Sequence, residues 1–157
     1  MKTILIVVGR TMELHYDIAI NDYIQRTKHF IPFDLKIIPE LKETKSLSQN
    51  QQKEKEGELI LQSFQQGDCV VLLDEYGIEF RSPDFADWME RKMISVCKRL
   101  VFVIGGPYGF SQKVYQTADE KISLSKMTFS HQMVRLIFME QLYRAMTILN
   151  GNPYHHE

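Results

Sequence analysis

Apolar positions along the chain come in two alternating kinds of run: short unbroken blocks, and longer stretches in which apolar residues recur every three or four places. Thr3–Val8 is a block rich in β-branched residues, the composition of a strand covered on both faces. From Leu14 to Phe30, the residues Leu14, Ile18, Tyr23 and Ile24 fall at helical spacing, and Pro32 hinders continuation. A second strand, Leu35–Ile38, closes at Pro39. Lys42 to Lys55 is polar and is expected to form an exposed loop feeding a solvated helix, which gains Leu59, Ile60 and Phe64 before Gly67 stops it. Cys69–Leu73 is a third strand. A helix from about Pro83 to Cys97 follows, with Ser82 as its N-cap and Pro83 at the first helical position. The apolar run from Leu100 to Ile104, a short helix near Ser111 to Ala118 and a strand near Ile122 to Leu124 complete the series. Alternation of this kind predicts a three-layer α/β/α domain with a mostly parallel sheet, spanning 1–157 as one unit.

Ligands of such sheets bind beyond the carboxyl ends of the strands, and three segments stand there. The stretch LVFVIGGPYGFSQKVY stops a buried strand at Gly105 and Gly106, where bare backbone admits a close approach. It does not match GxGxxG and lacks the downstream acid, so a dinucleotide site is disfavoured. Leu73 to Gly77 reads locally as a strand end and turn. Leu124 to Phe129 is an irregular connection without Gly or Pro, whose backbone groups need partners that a buried polar ligand can supply.

The segment Ser130 to Leu149 leaves no broad polar face at 3.6 residues per turn. It is expected to be buried on several sides, against its own sheet and against a second copy of the chain, giving a homodimer. The alternative, a central helix of a monomer, is set aside because C-terminal helices are usually peripheral. Glu140 and Arg144 are spaced for an intrahelical pair.

Composition narrows the chemistry. With 157 residues, 44% hydrophobic content and a net charge of -1, the chain lacks the basic excess of proteins that rely on bulk phosphate attraction. Cys69 and Cys97 show neither CxxC spacing nor paired histidines, so they are expected as small buried thiols in a reducing compartment, with no disulfide and no metal. The first apolar run is far too short to cross a membrane, which points to a cytoplasmic protein without membrane contact.

GGPYG, LSKMTFSHQMVR, EQLYRA and the ending NPYHHE, preceded in order by VGR, KEGE and LDEYG, together resemble the SPOUT-class family of ribosomal large-subunit pseudouridine methyltransferases over essentially the whole chain. The resemblance implies a C-terminal trefoil knot over about 100–157, a topology that general rules of connectivity exclude. It implies S-adenosyl-L-methionine as cofactor, held by Leu73, by Gly105 with Gly106, and by Leu124, Ser125, Lys126, Met127, Thr128 and Phe129. It implies methylation of N3 of a pseudouridine in a 23S rRNA stem-loop of the assembled ribosome. Tyr154 and His155 would position or deprotonate the ring, and Arg135 would contact phosphate or base. His131 would support the start of the last helix. In two places the chain departs from the family: Ser130 stands where relatives carry proline, and His156 where they carry Arg or Lys, which makes part of the phosphate attraction pH-dependent. A catalytically silent scaffold and a tRNA methyltransferase are the competing readings.

Overall fold

Each apolar block becomes a strand of one sheet. The computed structural model describes residues 1–156. The strands are β1 (Lys2–Val8), β2 (Phe33–Ile38), β3 (Asp68–Glu79), β4 (Arg99–Ile104) and β5 (Glu120–Ser123). The helices are α1 (Leu14–Thr27), α2 (Gln49–Gln62), α3 (Ser82–Met93), α4 (Gln112–Thr117) and α5 (His131–Leu149). The sheet runs β2-β1-β4-β3-β5, and every pairing in it is parallel. The expected three-layer architecture is therefore present, with helices on both faces.

The unbroken apolar character of β1 and β4 follows from this placement, because alternate residues of one strand serve two different cores. Leu5, Val7, Phe102 and Ile104 meet α1, α3 and α5 on one face, while Ile4, Ile6, Val101 and Val103 meet Ile60 of α2 and Val114 of α4 on the other. Phe102 lies opposite Leu5 in the register, and its ring stands 4.7 Å from that of Phe138 on α5.

Helix α5 packs between α1 and α3. It is the middle helix of its layer, not a peripheral one, which corrects the premise used above. Its own neighbours account for the lack of a polar face: Phe138, Met139, Leu142 and Met146 are wholly covered within one chain.

Several boundaries differ from the sequence expectation for local reasons. Helix α2 begins at Gln49, inside the segment read as loop, because Ser48 and Gln51 form a reciprocal capping box that outweighs the polar composition. Ser82 opens α3 but does not cap it; its hydroxyl donates to Gln141 Oε1 at 2.8 Å, and Arg81 holds the cap position. Helix α3 ends at Met93, four residues short of the expectation. Strand β3 continues past Leu73 to Glu79 through a bulge, so that Leu73 and Ile78 both oppose Ile122. The stretch from Asp74 to Gly77 is thus not a simple turn.

The two cysteines are joined in a disulfide, contrary to the expectation of separate thiols, with their Cα atoms 5.7 Å apart. Parallel register explains this: Cys69 lies opposite Leu100, so Cys97, just before β4, reaches it across the strand end. The Asp68–Arg99 ion pair, at 2.7 Å, closes the same end of the sheet. A bridge across 28 residues constrains the unfolded chain by roughly 3–4 kcal/mol. A reductant is accordingly expected to lower the urea midpoint of the wild type and leave that of a Cys69→Ser/Cys97→Ser protein unchanged.

Candidate active site

The carboxyl ends of β3, β4 and β5 open onto one cavity of about 510 Å³. That size is ordinary for a small-molecule site. Leu73 ends the inner part of β3, Gly105 and Gly106 follow β4, and residues 124–129 follow β5, so the sheet order brings together segments some fifty residues apart. Eight of the nine expected cofactor contacts line the cavity. Lys126 is the exception: its side chain is 86% exposed and lies 3.9 Å from Glu79 Oε1.

The irregular loop is tied by its own serines. Ser123 Oγ donates to the Ser125 carbonyl at 2.9 Å, and the Met127 N–H donates to Ser125 Oγ at 2.9 Å. Apolar walls come from Leu73, Leu124, Ile104, Phe129 and Val134. An adenine ring fits between apolar walls beside backbone whose bonding is not absorbed by regular structure. These residues suit an adenosyl cofactor.

Local sequence did not reveal Asp74, Tyr115 or Val134 as parts of this cavity. Asp74 accepts the Tyr76 N–H at 3.0 Å and the Tyr115 hydroxyl at 2.5 Å. Burial, followed by the Asp74 contact, pushes the Tyr115 phenol well above its usual range. Tyr115 therefore remains a neutral donor at ordinary pH.

The glycine loop also makes room within the chain. A Cβ on Gly106 would lie 2.2 Å from Glu56 Oε1, and one on Gly105 would lie 3.0 Å from the Phe110 ring. Both glycines make room for side chains of their own chain. The KEGE segment thus acquires a structural role, because Glu56 on α2 lies against the loop that walls the cavity.

Glu56 is only 4% exposed. Burial holds its carboxyl above the usual range, and the Gln52 hydrogen bond opposes this only in part. A carboxyl whose folded pKa exceeds its unfolded pKa favours folding most at acid pH, and that contribution is lost as pH rises through the carboxylate range. Glu56→Gln is therefore expected to unfold at a higher temperature than wild type at pH 7, with the gap closing as pH falls toward 4, as calorimetry would show.

Arg135 lies beside a second, smaller chamber. Its Nη1 donates to the Gly9 carbonyl at 2.9 Å and to Thr11 Oγ1 at 3.1 Å, and its Nη2 donates to the Val8 carbonyl at 2.8 Å. The guanidinium thereby caps the carboxyl end of β1.

The tail residues lie elsewhere in the chain's own fold. Tyr154 hydroxyl is 3.1 Å from Tyr23 hydroxyl and donates to Glu140 Oε1 at 3.1 Å. Its ring stands edge-on to Tyr143, and Arg144 lies over it. Burial and the Tyr23 contact raise its phenol well above the ordinary value. Arg144 pairs with Glu140 as the spacing predicts, and its Nη1 sits 3.1 Å from His155 Nδ1. Because guanidinium only donates, Nδ1 is the acceptor, and neutral His155 carries its proton on Nε2. Arg144 lies ten residues along α5 from Val134, which lines the cavity, a separation of about 15 Å. One chain does not bring its tail to its own cavity.

Fold and cavity together define a parallel α/β protein with a cavity of small-molecule size beyond its strand ends. A family model described as "Predicted SPOUT methyltransferase" matches residues 1–155, and the chain belongs to the SPOUT methyltransferase family. Among curated relatives, the protein called Ribosomal RNA large subunit methyltransferase H of Bacteroides thetaiotaomicron is 76% identical over 157 residues, 100% of both chains. Proteins of the same name from Bacteroides fragilis and Parabacteroides distasonis are 74% and 63% identical, again over 100% of both chains.

Proposed function

We propose that the protein methylates N3 of a pseudouridine in 23S rRNA, on the assembled ribosome in the cytoplasm, using S-adenosylmethionine and acting as a homodimer. The observation that carries this reading is the convergence of Leu73, Gly105, Gly106 and the 124–129 loop on one cavity. The names of the relatives supply the ribosomal substrate class. Threading of residues from about 100 onward into a knot belongs to the same reading.

When bound, the cofactor supplies a methyl group on a sulfonium, already an excellent leaving group. The chain's task is chiefly alignment. Leu73 and Leu124 would hold the adenine, backbone of 124–129 would bond its edge, and the tied serine loop keeps that backbone in place. Tyr154, kept protonated, would turn its one O–H from Glu140 to a ring oxygen. His155, held by Arg144 through Nδ1, would fix the tail that carries Tyr154 against the ring. Withdrawing charge from a ring oxygen would lower the cost of releasing the N3 proton, which would pass to solvent water as N3 takes the methyl.

Separation of tail from cavity within one chain supports a twofold assembly in which each tail serves the partner's cavity. Met12, Leu14 and Ile18 are 70%, 71% and 60% exposed, and Met12 is bonded to Gln132 of α5. This apolar surface near the cavity end of α5 suits a second copy. The whole reading is tested by incubating the protein and labelled cofactor separately with ribosomes, large subunits and free rRNA, then mapping the modified base. Label at N3 of a pseudouridine, on ribosomes, is expected; label on tRNA alone or none at all refutes it.

A further inference from the structure

The chamber beside Arg135 has a volume of about 320 Å³ and lies at the carboxyl ends of β1 and β2. It shares Gly106, Pro107 and His131 with the cofactor cavity, so the glycine loop is a wall common to both. A group held there would lie across that wall from the cofactor cavity.

Two buried polar atoms of the chamber residues lack a hydrogen-bond partner among the described residues: Glu56 Oε1, an acceptor, and Arg135 Nε, a donor. Both side chains are only 4% exposed. Neither compensates the other. Arg135 is engaged by carbonyls of β1 and by Thr11, and the one hydrogen bond to Glu56 comes from Gln52 Nε2 to Oε2, at 3.3 Å. A buried carboxyl with an unused oxygen costs stability unless something else repays it. Its oxygen lies tucked under Gly106, and the terminal torsion of a glutamate is soft enough to turn it into the chamber.

We propose that this chamber receives the acceptor ring and that Glu56 reads its N1–H, a reading that rests on the pseudouridine acceptor inferred above. Pseudouridine is joined to ribose through carbon, so its N1 keeps a hydrogen. In uridine N1 bears the ribose and has none. An unsatisfied buried acceptor is the group that separates the two: it gains a bond from pseudouridine and stays unpaired against uridine. The carbonyl between N1 and N3 meets the donor side of the chamber at Arg135, which leaves N3 free toward the shared wall. Sites built around a substrate N–H reject the analogue lacking it far more strongly than apolar pockets reject a changed shape.

Glu56→Gln tests this with little change of volume. Gln52 donates toward residue 56, so the new amide turns its oxygen to Gln52 and offers NH₂ where the ring offers N–H. Initial methylation rates are compared on ribosomes carrying pseudouridine at the acceptor position and on ribosomes carrying uridine there, with calorimetric binding of S-adenosylmethionine alongside. The wild type is expected to prefer pseudouridine strongly, and in Glu56→Gln the rate ratio is expected to fall by about 100-fold or more, with cofactor affinity within about twofold. Equal losses on both ribosomes at an unchanged ratio, or a loss of cofactor affinity that accounts for the rates, overturn the assignment and leave Glu56 as a support of the glycine loop. Wild-type methylation on neither ribosome, or at another base, refutes the acceptor reading and the role of Glu56 with it.

Discussion

Gly106→Val is expected to bind S-adenosylmethionine about 10- to 100-fold more weakly than the wild type. The place of the missing side chain is already taken, since a Cβ there would lie 2.2 Å from Glu56 Oε1 and 2.9 Å from its Cδ. Valine adds two methyl groups beyond that Cβ, so turning the Glu56 carboxyl away relieves only part of the clash, and the rest displaces the loop into the cofactor cavity. Overpacking of this kind costs roughly 1–3 kcal/mol, about a factor of ten in affinity for each 1.4 kcal/mol. If the clash is the cause, Glu56→Ala in the same chain restores at least about tenfold of the lost affinity, because the two changes are coupled through one site. Calorimetric titration of single and double variants decides this. Unaltered affinity in Gly106→Val would show that the loop tolerates side chains and is no part of the binding wall.

Mixing two impaired proteins, at a cofactor concentration that fills the wild-type cavity but not that of Gly106→Val, is expected to restore activity. A His155→Ala chain has a sound cavity and a defective tail, and a Gly106→Val chain the reverse. Under a shared-site dimer, each mixed dimer holds one site in which both contributions are intact. Random exchange makes half of all dimers mixed, so activity recovers to about a quarter of the wild-type level. If each chain used its own tail, every site in the mixture would carry one defect and no recovery would appear. The basis is the separation along α5: Val134 lines the cavity, while Arg144, ten residues on, holds His155.

The layer architecture was legible in the order of apolar blocks and helical periods, because strand and helix periodicities are local properties. The glycine pair and the 124–129 loop stood out as candidate ligand segments for the same reason, since each stands where a strand stops, whereas Leu73 read locally as a strand end and became a candidate contact only through the resemblance. Their meeting in one cavity needed the resemblance to a family, since the strand order β2-β1-β4-β3-β5 is not written in any single segment. Lys126 shares the loop backbone while its side chain points away to Glu79, an orientation that the motif alone does not give. Helix α5 misled for a related reason. Its apolar face was visible, but whether α1 and α3 or a second chain covered it depends on packing.

By itself, then, the sequence determined the periodic elements, the interruptions that end them and the residue types available at the strand ends. Tertiary structure alone decided that Glu56 occupies the space beside Gly106, that Arg135 caps β1, that Cys69 bonds to Cys97, and that Tyr154 and His155 rest on α1 and α5 away from the cavity. The reason is range. Periodicity is enforced by neighbours within a few residues, whereas these contacts join residues 11 to 131 positions apart and exist only once the strands and helices have packed side by side.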